Sequence, residues 1–169
     1  MGIEIERKFL VIGDSWRTLV TRQVPMRQGY MTDTASRSSI RVRLQGAEAR
    51  LNIKAAVVGR ARAEYDYPVP VPDAHEILDT LCVGLVDKIR YYIEPNGPDT
   101  AHGAGLIWEI DEFAGANAGL VVAEIELSDV DQNFERPSWL GAEVTDDQRY
   151  YNHALALNPY QNWPERSAT

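Results

Sequence analysis

The 169 residues, 44% hydrophobic and 25% charged, suit one folded domain with a sizeable core rather than a disordered chain. A formal net charge of -8 argues against general nucleic-acid binding, and no apolar run is long enough to suggest a transmembrane helix. The single cysteine, Cys82, rules out an internal disulfide framework and suits a reducing, cytoplasmic setting.

In chain order, Gly2 to Val11 alternates strictly and reads as a strand: Ile3, Ile5 and Phe9 share one face with Arg7, and Glu4, Glu6 and Lys8 share the other. Asp14 to Arg17 suits a short helical turn, and Val24 to Met31 a second strand. Ser38 to Leu44 sets Arg41 and Arg43 against Ile40, Val42 and Leu44. After a turn at Gly46, Arg50 to Ala55 sets Asn52 and Lys54 against Leu51 and Ile53. Past Gly59, Arg62 to Val69 opposes Arg62, Glu64 and Asp66 to Ala63, Tyr65 and Tyr67.

Pro72 and Asp73 open a helix with Ile77, Leu78, Leu81 and Cys82 on one apolar stripe. Val86 to Glu94 returns to strand, carrying Lys88 and Arg90 on one parity. Leu106 to Phe113 sets Glu109 and Asp111 against Trp108 and Ile110, and Val121 to Ser128 sets Glu124 and Glu126 against Ala123, Ile125 and Leu127. A short helix is expected over Val130 to Phe134. A last one is expected from Thr145, with Gln148 completing a capping box, to about Leu157. Residues 1–157 then form one domain, and 158–169 a loose C-terminal tail.

About eight strands result, the number usual for a small closed barrel. Their charges sort by strand. Glu4/Glu6, Glu109/Asp111 and Glu124/Glu126 are acidic pairs; Arg41/Arg43 and Lys88/Arg90 are basic ones. Like charges two apart on a strand sit about 7 Å from each other and repel unless something of opposite sign lies between them. The apolar parities need cover, which two helices can supply from outside. The expected fold is therefore mainly β: an eight-stranded antiparallel closed barrel, a tunnel with a charged interior and helices packed outside. So many cations in one cavity call for a polyanion, and carboxylates among them for a divalent metal between acid and phosphate. A linear triphosphate with Mg2+ or Mn2+ satisfies both sets. There is no GxxxxGK[ST] loop, so side chains rather than a helix N-terminus would hold the phosphates.

Glu4-Ile5-Glu6-Arg7-Lys8 matches an ExExK motif. With RQGYM, RVRL, LNIK, RAEYDY, DKIRY, WEIDEF, GLVVAEIEL and LGAEVTDDQRYYN in order from Gly2 to about Leu157, the chain resembles the CYTH superfamily of triphosphate tunnel metalloenzymes. The likeness is to its short, single-domain bacterial tripolyphosphatase-type members. The resemblance implies that Glu4, Glu6, Asp111, Glu124 and Glu126 are metal ligands. It implies phosphate contacts at Lys8, Arg41, Arg43, Arg62, Lys88 and Arg90, and a water-activating pair of Lys54 and Tyr30. Glu64 and Glu109 would line the wall. Ala55 and Ala56 after Lys54, and Ala61 before Arg62, depart from the family pattern without removing a charge.

The expected activity is metal-dependent hydrolysis of a triphosphate, first of all inorganic tripolyphosphate, to diphosphate and phosphate. The alternatives are a class IV-type adenylate cyclase, a thiamine triphosphatase, or a non-catalytic polyphosphate sensor. The sequence is compatible with a homodimer and points to a small-molecule partner, with neither nucleic acid nor membrane. His75, His102 and His153 have no ligand spacing and read as surface or packing residues.

Overall fold

The computed structural model describes residues 5–55, 64–94 and 105–164. The expected Glu4 and Arg62 therefore lie outside the described residues. So do Gly59, where the sequence leads to a turn, and the end of the tail from residue 165.

Nine antiparallel strands form one sheet: β1 (Ile5–Val11), β2 (Arg22–Tyr30), β3 (Ser38–Gln45), β4 (Glu48–Ala55), β5 (Glu64–Pro68), β6 (Gly84–Ile93), β7 (Trp108–Phe113), β8 (Val121–Leu127) and β9 (Leu140–Glu143). Their order is β5-β4-β3-β2-β6-β7-β8-β1-β9. The antiparallel, mainly β architecture is as the alternation implies. Strand count and closure need correction. β9 takes the free edge of β1 beside Phe9 and Val11, and β5 pairs with β4 alone. Among the described residues the sheet thus ends at β5 and β9 and does not close. LGAE is too short and too mixed to announce itself as a strand, so it escapes a reading based on alternation.

Residues directly opposite in an antiparallel pair share a face. The register therefore carries one row across Asp66, Asn52, Arg41 and Tyr30, and another across Arg90, Asp111 and Val122. A third runs across Tyr92, Glu109, Glu124 and Lys8. All three lie on one charge-bearing face, as the parities require.

The opposite face is apolar and covered in two patches. Phe9, Trp16, Trp108, Ile110, Ile125 and Trp139 form one cluster, with Phe134 edge-on to Phe9 and Trp108. Helix α1 (Val71–Thr80) makes the other. It starts at a proline with Asp73 in its first turn, and it buries Ala74 and Leu78 against Val42 and Ala49.

The second helix corrects the expectation that both helices pack outside. Asp147 caps a 3-10 turn at Gln148–Tyr150, and α2 covers only Asn152–Leu157. Leu155 and Ala156 pack with Tyr30, Val86, Phe113 and Val122, which share parity with the charges. One end of the charge-bearing face is therefore apolar, and α2 sits on it. The tail is not loose where it is described. Tyr160 and Trp163 are buried in the same cluster, edge-on to one another at 5.1 Å, because their large apolar surfaces complete this cover. In place of the helix expected over Val130 to Phe134 there is a turn, closed by Gln132 N donating to the Asp129 carbonyl at 3.1 Å, and then irregular chain.

Gly84 marks where α2 meets β6. A Cβ there would stand 2.4 Å from the Ala156 carbonyl oxygen, a backbone atom that cannot swing aside. Gly84→Ala should cost about 1–3 kcal/mol, read as a lower urea midpoint with an unchanged slope. A parent-like midpoint would show that α2 does not rest against this strand.

Candidate active site

The strand spacing of two puts Lys88 and Arg90 of β6 side by side on the charge-bearing face. The register sets Arg90 opposite Asp111, and Glu124 between Glu109 and Lys8. A continuous ion network follows. Arg90 grips Asp111 with two parallel bonds, Nε to Oδ1 at 2.7 Å and Nη2 to Oδ2 at 2.7 Å. The same Nη2 donates to Glu124 Oε2 at 2.9 Å, and Nη1 donates to Glu109. Lys88 Nζ donates to Asp111 Oδ2 at 2.5 Å and to Asn152 Oδ1 at 3.1 Å. Lys8 Nζ donates to Glu124 and, at 2.9 Å, to Glu6.

Burial sharpens these pairings. Asp111 is fully buried, which opposes its charge, but Arg90 and Lys88 outweigh this and hold its carboxyl well below the ordinary range. Glu124 is lowered against burial by Arg90 and Lys8. Glu109 is raised by burial, with Arg90 opposing and Glu124 and Asp111 reinforcing. Lys8 is raised, because Glu124 and Glu6 overcome the cost of burial. Lys88 differs: burial pushes it down to about 8 although Asp111 opposes. It shares Asp111 with Arg90, whose positive charge also works against it.

The other half of the face is cationic. Arg41 and Arg43 lie opposite Tyr30 and Gln28. Arg41 Nε is buried without a hydrogen-bond partner, and no carboxylate of the described residues forms an ion pair with either arginine. Burial, then the charges of Arg41 and Arg90, lower Arg43. Lys54, near the sheet edge, lies 3.4 Å from Glu64, whose Oε1 also accepts from Asn52 at 2.6 Å. Burial opposes the charge of Glu64, but Asn52 and Lys54 together lower its pKa.

Tyr30 and Lys54 share this face with β3 between their strands: Tyr30 lies opposite Arg41, Lys54 opposite Ser39. Tyr30 is buried, and burial raises its hydroxyl pKa against the pull of Arg41. Glu6 faces Glu126 across β1 and β8, and Glu126 is exposed. Four residues that sequence reasoning passed over also belong here. Gln28 donates to the Tyr30 hydroxyl at 3.2 Å, Asn52 holds Glu64, Asn152 holds Lys88, and His153 stacks on Tyr30. Gln28 and Asn52 stand two residues before Tyr30 and Lys54 on the charged parity, a signal that was readable. Asn152 and His153 had none, because nothing local told which face α2 covers.

Among the described residues no three acidic, histidine or cysteine side chains converge on one point. Glu6, Glu124 and Glu126 lie on one face of the adjoining strands β1 and β8, and carboxylate oxygens are the kind of donor that Mg2+ or Mn2+ takes. Both oxygens of Asp111 are engaged, by Lys88 and Arg90, and both of Glu124 by Lys8 and Arg90, so a metal ion at either carboxylate would have to displace a cation.

Relatives share this arrangement's sequence along nearly its whole length. An inorganic triphosphatase of Acetivibrio thermocellus is 43% identical over 166 residues, spanning 98% of this chain and 100% of that one. One from Nitrosomonas europaea is 37% identical over 157 residues, spanning 92% and 97%. The crystal structure of an inorganic triphosphatase superposes with a TM-score of 0.67 at 36% identity, over 93% of this chain and 96% of that one. The CYTH domain model matches residues 2–153. The chain belongs to the CYTH domain family.

Proposed function

We propose that this protein hydrolyses inorganic tripolyphosphate to diphosphate and phosphate with the help of a divalent cation, Mg2+ or Mn2+. The observation that carries this reading is the pair Arg41 and Arg43. They are two guanidinium groups on one face of β3 that form no ion pair with a carboxylate of the described residues, one with a buried donor that lacks an acceptor. Planar guanidinium groups match phosphate oxygens in pairs, and a polyanion laid along them would relieve their mutual repulsion. The inorganic triphosphatases of Acetivibrio and Nitrosomonas support the same choice.

In this account Arg41, Arg43 and Lys54, together with Arg62, take one part of the chain of phosphates. Lys8 and Arg90 reach the remainder by exchanging a glutamate partner for a phosphate oxygen, and Lys88 reaches it with the Nζ donor that Asp111 and Asn152 leave over. Glu6, Glu124 and Glu126, with Glu4, are the residues that would hold a metal. Bound there, it would offset their charge beside the phosphates and act as a Lewis acid. Asp111 anchors Lys88 and Arg90. Phosphoryl transfer depends chiefly on positioning and charge stabilisation, so these fixed cations would do most of the work. Arginine stays protonated and cannot take a proton from water; the family resemblance gives that part to Lys54, with Tyr30 helping to orient it.

The test is product analysis with tripolyphosphate and with ATP, each with Mg2+. Phosphate and diphosphate from tripolyphosphate are expected; cyclic AMP and diphosphate from ATP would instead identify a cyclase. Lys54→Arg, which keeps the charge, should bind tripolyphosphate but lose about 100-fold or more in kcat. A parent-like kcat would reduce Lys54 to a phosphate clamp.

The pH dependence follows from Lys88. Its folded-state value is lowered to about 8, so the free protein carries this cation below that pH and sheds it above. Between pH 7 and pH 9 the charged fraction falls about tenfold, and metal-free tripolyphosphate affinity should fall by up to that factor. Lys88→Arg should flatten the profile. Identical profiles for parent and variant, measured by calorimetry, would remove Lys88 from the binding step.

A further inference from the structure

Three consecutive residues, Tyr151, Asn152 and His153, each touch a different member of the charged face. Lys8 Nζ lies 5.3 Å from the centre of the Tyr151 ring. Asn152 Oδ1 accepts from Lys88 Nζ at 3.1 Å. The His153 ring stacks on Tyr30, with centroids 4.3 Å apart and planes 10° from parallel. These contacts reach β1, β6 and β2 in turn; β2 and β6 are neighbours in the sheet, and β7 and β8 lie between β6 and β1.

The segment is itself held at both ends. Tyr151 Oη donates to the Thr145 carbonyl oxygen at 2.8 Å, and Thr145 Oγ1 accepts from the backbone N–H of Lys8 at 3.0 Å. His153 Nε2 lies 2.8 Å from the Thr32 carbonyl oxygen, two residues past Tyr30. Behind it, Leu155 and Ala156 are locked in the apolar end of the face. An anchored segment of this kind can hold other side chains still, which a free loop cannot.

We propose that Tyr151-Asn152-His153 is a positioning segment for the reaction: Asn152 sets the Lys88 ammonium for phosphate, and His153 sets the Tyr30 ring. An ammonium has three donors. Asp111 and Asn152 occupy two of those of Lys88, which fixes the direction of the third. The Tyr30 hydroxyl is fixed by Gln28 at 3.2 Å on one side and by the ring stack on the other. Neither residue touches the phosphates in this account; each acts through its neighbour. The inference rests on the triphosphatase reading and adds to it the part played by the C-terminal helix.

The two contacts should separate kinetically. Asn152→Ala frees Lys88, so the KM for tripolyphosphate should rise about tenfold with kcat less affected. His153→Ala frees Tyr30, so kcat should fall by about tenfold with KM nearly kept. His153→Phe restores a ring against Tyr30 and should recover most of kcat. Thermal midpoints are measured on the same samples. Lower midpoints with parent-like kcat and KM would mean that the segment only holds the fold together, and would overturn the inference. Loss of kcat in His153→Phe equal to that in His153→Ala would overturn the stacking role. Calorimetric binding of tripolyphosphate gives a readout apart from turnover: Asn152→Ala should bind about tenfold more weakly than the parent. A parent that neither binds nor cleaves tripolyphosphate would overturn the triphosphatase reading, and the inference with it; a competent parent with unchanged variants would overturn the inference alone.

Discussion

The bidentate pair between Arg90 and Asp111 is the interaction on which this site depends. Asp111 is fully buried in the middle of the sheet, where an unpaired carboxylate would be strongly destabilising. Arg90 meets it across the β6–β7 register with matched geometry. That contact lets Lys88 share the same carboxylate and brings Arg90 to Glu124 and Glu109. Lys8 then joins through Glu124. Without the central pair, Lys88, Glu109 and Glu124 would each lose a partner. Well-packed apolar residues are often as stabilising as such a network, so stability alone gives little reason to keep it. Binding a charged substrate does.

The face divides into three regions that follow from chain order. β6, β7, β8 and β1 carry a network close to charge balance. β3 and β4 bring Arg41, Arg43 and Lys54 toward the free edge at β5, where positive charge prevails. The third region is apolar and lies under α2 and the following turns. In the proposed function a polyanion would be drawn to the second region and extend into the first, whose carboxylates would hold a divalent cation. The buried aromatic and aliphatic residues of the third region close that side with a surface that holds no charge.

Much of this was written in the alternation of the strands. The parities of Glu6 and Lys8, Arg41 and Arg43, Lys88 and Arg90, and Glu124 and Glu126 correctly placed them on one face, because a two-residue period leaves no other choice. The apolar end of that face was also legible in principle: Val86 precedes Lys88, Phe113 follows Asp111, and Val122 precedes Glu124, all on the charged parity. What parity cannot say is which face a short helix covers. Leu155 and Ala156 would suit either side of the sheet, so the sequence alone points to α2 outside and to His153 as a surface or packing residue. The open edges had a similar cause. Closure depends on how far strands are displaced and on what else competes for an edge, and the four residues of β9 gave no periodic signal. Tyr160 and Trp163 follow Pro159, which suggests an ending, yet their apolar area is what seals the face.

The central claim is that one face of this sheet holds a triphosphate and its metal together. Crystals grown with imidotriphosphate, whose bridging nitrogens resist hydrolysis, and Mn2+ would test it most directly, since the anomalous signal locates the ion independently of the anion. The account predicts the analogue in contact with Arg41 and Arg43, and the manganese peak against Glu6, Glu124 or Glu126. An analogue bound on the opposite face, or a manganese peak remote from these carboxylates, would contradict it.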